Sequence, residues 1–159
     1  MKIEVICVGK IKEKYFSMAI DEYSKRLSRY TKLNIIEVPD EQTPDGASDA
    51  ICDAIKKKEA ERILKNIKDD AYVITLEIKG DMIDSVKLSE KINDIGVKGF
   101  SNITFIIGGS LGLHSSVSER SKYKLSFSKM TFPHQLMRVI LLEQIYRSFR
   151  ILSNEPYHK

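Results

Sequence analysis

The sequence predicts an α/β fold, a mostly parallel sheet with helices on both faces. Two observations carry this expectation. Short β-favouring runs alternate with helical patterns along the chain, the pattern of a parallel sheet covered on both sides. The apolar run Ile103 to Ile107 then ends abruptly in Gly108 and Gly109. That reads as a buried strand opening onto a ligand loop, because glycine lets a ligand approach the main chain closely. The chain has 159 residues and is 42% hydrophobic, enough for one domain with a full core.

Lys2 to Val8 is the first expected strand, closed by Gly9. Glu13 to Arg29 follows as a helix, with Phe16, Ala19 or Ile20, Tyr23 and Leu27 at helical spacing. Leu33 to Val38 is a second strand, stopped by Pro39. The polar, turn-rich stretch that follows is long enough to be functional or mobile. Ser48 is the expected N-cap of a helix reaching about Ile67, whose inner face carries Ile51, Ile55, Ile63, Leu64 and Ile67. Its Lys56, Lys57 and Lys58 read as a solvated basic face.

Ala71 to Ile78 is a third strand, ended by Lys79-Gly80-Asp81. Ser85 to Ile95 is a helix with Val86, Leu88, Ile92 and Ile95 facing in. Asn102 to Ile107 is the fourth strand, His114 to Lys122 a short helix or turn, and Lys124 to Phe127 a fifth strand. Pro133 starts the last helix, where its missing N–H costs little.

The formal net charge of +4 permits an anionic partner without demanding one. Cys7 and Cys52 sit in apolar-periodic segments, not in CxxC or Cys/His clusters, and read as buried free thiols of a reducing compartment. The six residues from Ile3 to Val8 are too few for a signal-peptide core. A cytoplasmic protein is the expectation. A Rossmann fingerprint would place GxGxxG on the first strand-to-helix turn, but the GGSLG here follows the fourth strand. No P-loop appears, and no Ser/His/Asp ordering suggests a hydrolase. His114, His134 and His158 are too scattered for a zinc motif, so no metal is expected. What remains is a glycine-cornered loop whose ligand is held by main-chain groups.

Several local sequences together resemble one family. FIIGGSLGL at Phe105 to Leu113, LSFSKMTFPHQLMRVILLEQIYR at Leu125 to Arg147 and NEPYHK at Asn154 to Lys159 are similar to the RlmH family of SPOUT-class methyltransferases. MKIEVICVGK at the start and YVITLEIKG at Tyr72 to Gly80 match too. The resemblance spans the whole chain, residues 1–159, as a single SPOUT domain. It implies a C-terminal trefoil knot, a homodimer and S-adenosyl-L-methionine as cofactor. It also implies methylation of N3 of a pseudouridine, in the helix 69 loop of 23S rRNA in the assembled ribosome. Carried over residue by residue, the cofactor contacts fall on Leu76, Gly108, Phe127, Ser128, Lys129, Met130, Thr131 and Phe132. The family shows mostly Leu-type residues at the ends of that last run, where this chain has Phe.

Transfer to N3 requires loss of the imide proton, and the protein must handle the charge. No carboxylate near the glycine corner reads as a base, and Glu119 and Glu143 read as surface or structural residues. Arg147 alone reads as a surface arginine. The resemblance makes it a candidate to stabilise the developing imide anion, by the logic of an oxyanion hole. Tyr157 and His158 are candidates for substrate positioning or proton transfer. His134 begins a helix, where the dipole disfavours its charged form, and reads as structural. The last helix carries apolar residues around more of its circumference than one sheet face needs. Its charged Arg138, Glu143, Arg147 and Arg150 argue against full burial, so a twofold dimer is expected. The rivals are a transfer-RNA methyltransferase and a non-catalytic ribosome-binding protein.

Overall fold

β-Branched residues dominate the strands and set where they form. The elements are β1 (Lys2–Val8), α1 (Lys14–Leu27), β2 (Lys32–Val38), α2 (Asp49–Leu64), β3 (Tyr72–Met82), α3 (Ser85–Val97), β4 (Asn102–Ile107), α4 (Ser115–Arg120), β5 (Tyr123–Ser126) and α5 (His134–Leu152). They come from a computed structural model that describes residues 1–159. The five strands form one sheet in the order β2-β1-β4-β3-β5, and every pairing is parallel.

Every residue of β4 is buried, because helices cover both faces. Ile103, Phe105 and Ile107 point into the larger core with Ile92 of α3 and Leu141, Leu142 and Ile145 of α5. Ile106 points the other way, against Ala60 and Ile63 of α2 and Val117 of α4. Each such side chain contributes roughly 1.5–3 kcal/mol on leaving water. The expected α/β class and covered parallel sheet are therefore both found. No helix is long and apolar enough to cross a membrane.

Local expectations fare differently. Ser48 caps α2 by accepting from Ile51 N at 3.3 Å. Pro133 is the N-cap of α5 and not its first residue, its carbonyl accepting from Met137 N at 3.0 Å. Ile51 and Val86 are 47% and 40% exposed, not inward-facing. Each lies ahead of the first residue of its helix that reaches the core, Ile55 and Leu88 respectively. Cys7 and Cys52 are free thiols. Cys7 is buried, which pushes its thiol up to about 12, whereas Cys52 is only half-buried.

β3 does not end at Lys79-Gly80-Asp81. Leu76 and Asp81 both oppose Leu125, so residues 77–80 bulge out before Met82 pairs with Ser126. Gly80 permits this, since a Cβ there would lie 2.7 Å from the Lys124 carbonyl carbon and oxygen. The neighbour is backbone and cannot swing aside. Gly80→Ala should cost about 1–3 kcal/mol by overpacking and lower the melting temperature by several degrees. An unchanged thermal melt would mean that the bulge relaxes freely.

Arg138 departs furthest from expectation. It is 1% exposed and is the largest fully buried side chain. Its Nη2 donates to Gly9 O at 2.6 Å and Val8 O at 3.2 Å, and its Nη1 to Glu37 Oε2 at 2.7 Å. Glu37 Oε2 also accepts from Ile11 N at 2.9 Å, while Gln135 Oε1 accepts from Lys12 N at 3.0 Å. The first turns of α5 are thus fastened to the loop after β1. A buried charge is tolerated because it is paired and hydrogen-bonded.

Candidate active site

The bulge of β3 and the carboxyl ends of β4 and β5 open onto one cleft of about 590 Å³. Its floor is the glycine corner. Ile107 ends β4, and the chain then folds back through a Gly109–Gly112 antiparallel bridge, with Gly112 N donating to Gly109 O at 3.1 Å. Gly112 has φ +84°, which an L side chain resists. Gly108 and Gly109 are needed for closeness instead. A Cβ on Gly108 would lie 3.0 Å from Gly112 C and Leu113 Cδ2, and one on Gly109 3.1 Å from Val8 Cγ1.

Seven of the residues expected to hold the cofactor line this cleft: Leu76, Gly108, Phe127, Ser128, Met130, Thr131 and Phe132. Lys129 does not line it and is exposed. Met130 N donates to Ser128 Oγ at 2.9 Å, a local turn that directs Lys129 away. The walls are about half apolar by residue type. A cleft of this size, part apolar and part polar, suits a nucleoside-sized ligand.

The place of three residues at the corner was not legible from the sequence. Glu77 lines the cleft and places a carboxylate there. An acidic residue directly after Leu76, near the end of the expected strand Ala71 to Ile78, was its readable sign. Glu59 is buried behind Gly109, where a Gly109 Cβ would lie 3.2 Å from its Oε1. Burial holds its carboxyl above the usual range, partly offset by a hydrogen bond from Glu41 N. His134 also lines the cleft. Its pKa is lowered first by burial and then by the Arg138 charge, so the ring favours its neutral form.

Arg147, Tyr157 and His158 come together, but outside this cleft. Glu143 joins them. Its Oε1 accepts from Arg147 Nη2 at 2.7 Å, Arg147 Nε at 3.1 Å and Tyr157 Oη at 3.0 Å. The guanidinium lies 4.6 Å from the Tyr157 ring centroid, and His158 Nδ1 is 3.3 Å from Arg147 Nη1. The Tyr157 ring meets Tyr146 edge-on at 5.0 Å. His158 lines a neighbouring pocket of about 450 Å³ whose wall shares Leu125, Ser126 and Phe127 with the cleft. The structural role read for Glu143 agrees with this cluster.

Burial, with the Glu143 hydrogen bond next, pushes the Tyr157 phenol up to about 12. Free tyrosine titrates near 10, so the raised value keeps Tyr157 protonated, a hydrogen-bond donor and not a base. Tyr157→Phe should therefore scale the pH–rate profile without moving its limbs. Loss of a limb with the phenol would make Tyr157 the titrating group.

The fold is an α/β sheet protein with a cleft of nucleoside size beside its central strands. The family described as "Predicted SPOUT methyltransferase" matches residues 1–158. A Methanococcus maripaludis (strain C5) protein is 67% identical over 159 residues, covering all of both chains. The ribosomal RNA large subunit methyltransferase H proteins of Clostridium botulinum (strain Alaska E43) and Clostridium tetani are 65% and 64% identical, also over the full length of both chains. A solved structure of a probable methylase family protein from Haemophilus influenzae shares the fold, with a TM-score of 0.54 at 15% identity. It is matched over 99% of this chain and 70% of its own. The chain belongs to the SPOUT methyltransferases and, among them, to the RlmH family.

Proposed function

We propose that this chain methylates N3 of a pseudouridine in the helix 69 loop of large-subunit ribosomal RNA, with S-adenosyl-L-methionine as donor. The observation that carries the reading is convergence. Residues 76, 108 and 127–132 come from three distant segments, yet all but Lys129 line one cleft. Family membership and the names of the full-length relatives support the RNA substrate. The C-terminal trefoil threading, the ribosome as partner and a cytoplasmic place of work belong to the same reading.

S-adenosylmethionine, when bound, supplies an electrophilic methyl group. Apolar walls at Leu76, Phe127 and Phe132 hold the nucleoside half, and the glycine corner offers main-chain groups. N3 gives up its proton to solvent at or before transfer, and the N3–C bond would form as the donor's S–C bond breaks, releasing S-adenosylhomocysteine. Arg147 faces the negative charge that develops on the imide, its orientation fixed by Glu143. Tyr157 and His158 position the base.

Those three residues lie outside the cleft of their own chain, so a homodimer completes the site in this proposal. Apolar side chains are exposed close by, with Met130 71% exposed on the rim. Ile78 and Met82 are exposed as well. A second copy covering them would bring its tail towards the cleft.

The test is transfer of radiolabelled methyl groups to ribosomes, naked 23S RNA and transfer RNA. Label on the N3 position in ribosomes alone is expected, with binding that weakens steeply as salt is added. Label on transfer RNA alone would favour the first rival. Tight ribosome binding without any label would favour a non-catalytic protein.

A further inference from the structure

The proposed donor site contains a carboxylate that the reaction so far leaves unused. Glu77 lines the cleft immediately after Leu76. One of its oxygens is committed to the protein. Oε1 accepts from Thr75 Oγ1 at 2.8 Å and from Ser118 Oγ at 2.7 Å. Thr75 is fully buried, and its hydroxyl lies 3.0 Å from Ser121 Oγ. Strand β3 and helix α4 therefore fix the carboxylate from behind.

The other oxygen is free. Glu77 Oε2 makes no hydrogen bond, and Glu77 forms no ion pair. The buried side-chain atoms without a partner are Asn102 Oδ1, Thr104 Oγ1, Arg138 Nε and Arg150 Nε. Oε2 is not among them, so it is open to solvent on a residue that faces the cleft. Even Lys79, two positions on and lining the same cleft, leaves it unpaired. A carboxylate kept only for structure has no need of an oriented, open oxygen. Preorganised acceptors of this kind bind polar hydrogens without paying to reorient.

We propose that Glu77 Oε2 accepts hydrogen bonds from the methyl donor, through its ribose hydroxyls or its α-ammonium group. An acidic residue that receives ribose hydroxyls is the solution used by dinucleotide-binding sheets. The inference rests on the assignment of this cleft to S-adenosylmethionine.

The test is calorimetry on the full-length protein with two probes. S-adenosylmethionine carries both donor groups, whereas 5′-methylthioadenosine keeps the ribose and lacks the amino-acid end. Glu77→Gln keeps the shape and removes the charge. It should weaken S-adenosylmethionine about 10- to 100-fold, the worth of a hydrogen bond to a charged group. An equal loss for methylthioadenosine assigns the ribose, and no loss for it assigns the ammonium. Ser118→Ala, which removes one orienting hydroxyl, should cause a smaller loss of the same kind. It also serves as the informative variant should Glu77→Gln melt early. Wild-type affinity in a folded Glu77→Gln variant would overturn the inference. Failure of the unaltered protein to bind either probe would instead overturn the assignment of the cleft.

Discussion

Gly108→Val is expected to lower S-adenosylmethionine affinity at least about 100-fold, close to 2.7 kcal/mol, while the far-UV CD spectrum stays near that of the unaltered protein. The obstacle is the loop itself. Even a Cβ at position 108 would sit 3.0 Å from Gly112 C and Leu113 Cδ2 and 3.1 Å from Leu113 Cγ. Valine adds two further methyl groups that must go somewhere. The segment Gly108–Leu113 is a wall of the cleft, so any shift that relieves the crowding deforms the binding surface. β4 ends before this point and its core contacts are untouched, which is why the secondary structure should survive. Calorimetry decides the matter, and undiminished affinity in a folded variant would move the donor away from this corner.

Deleting Pro156 to Lys159 should reduce methyl transfer to ribosomes by about 100-fold or more, with S-adenosylmethionine affinity within about twofold of wild type. Arg147→Ala should act the same way. The deletion removes Tyr157 and His158 from the Arg147 cluster but leaves the end of α5 anchored. Glu155 remains bonded to Arg150 and receives Tyr30 Oη at 2.7 Å. None of the deleted residues lines the larger cleft. Comparable losses in cofactor affinity and turnover would assign the tail to the fold. Mixing the deletion with Gly108→Val separates two arrangements. Recovered activity in mixed dimers supports a site built from two chains. Absence of recovery, with heterodimers shown to form, leaves each site to its own subunit.

The parallel sheet was legible because its evidence is local, as strand runs such as Asn102–Ile107 and helical spacings such as Leu88, Ile92 and Ile95 repeat within short windows. Gly80 misled for the opposite reason. Lys-Gly-Asp favours a turn locally, and only the approach of the Lys124 backbone shows why the strand continues past it. Arg138 also misled. An arginine on a helix reads as solvent-facing, and its partners Val8, Gly9 and Glu37 cannot be anticipated from its neighbours. The proposed cofactor positions came from resemblance, not from spacing. Glu77 was overlooked, and His134 was read as structural without its place at the cleft, because that place depends on how separate segments meet.

The buried Arg138 also constrains when the protein can fold during synthesis. Its bonds join residues separated by 101, 129 and 130 positions. A nascent chain grows from the N-terminus, so the carbonyls of Val8 and Gly9 wait for their partner until most of the chain has left the exit tunnel. Until then one side of the growing sheet also lacks Leu141, Leu142 and Ile145 of the final helix. Contacts this distant in sequence form slowly, because loop closure must be paid before they reward it. The incomplete chain therefore carries exposed apolar strands for most of its translation, the kind of species that aggregates or is held by chaperones. Emergence of α5, not of the first strands, is the event that lets this domain close.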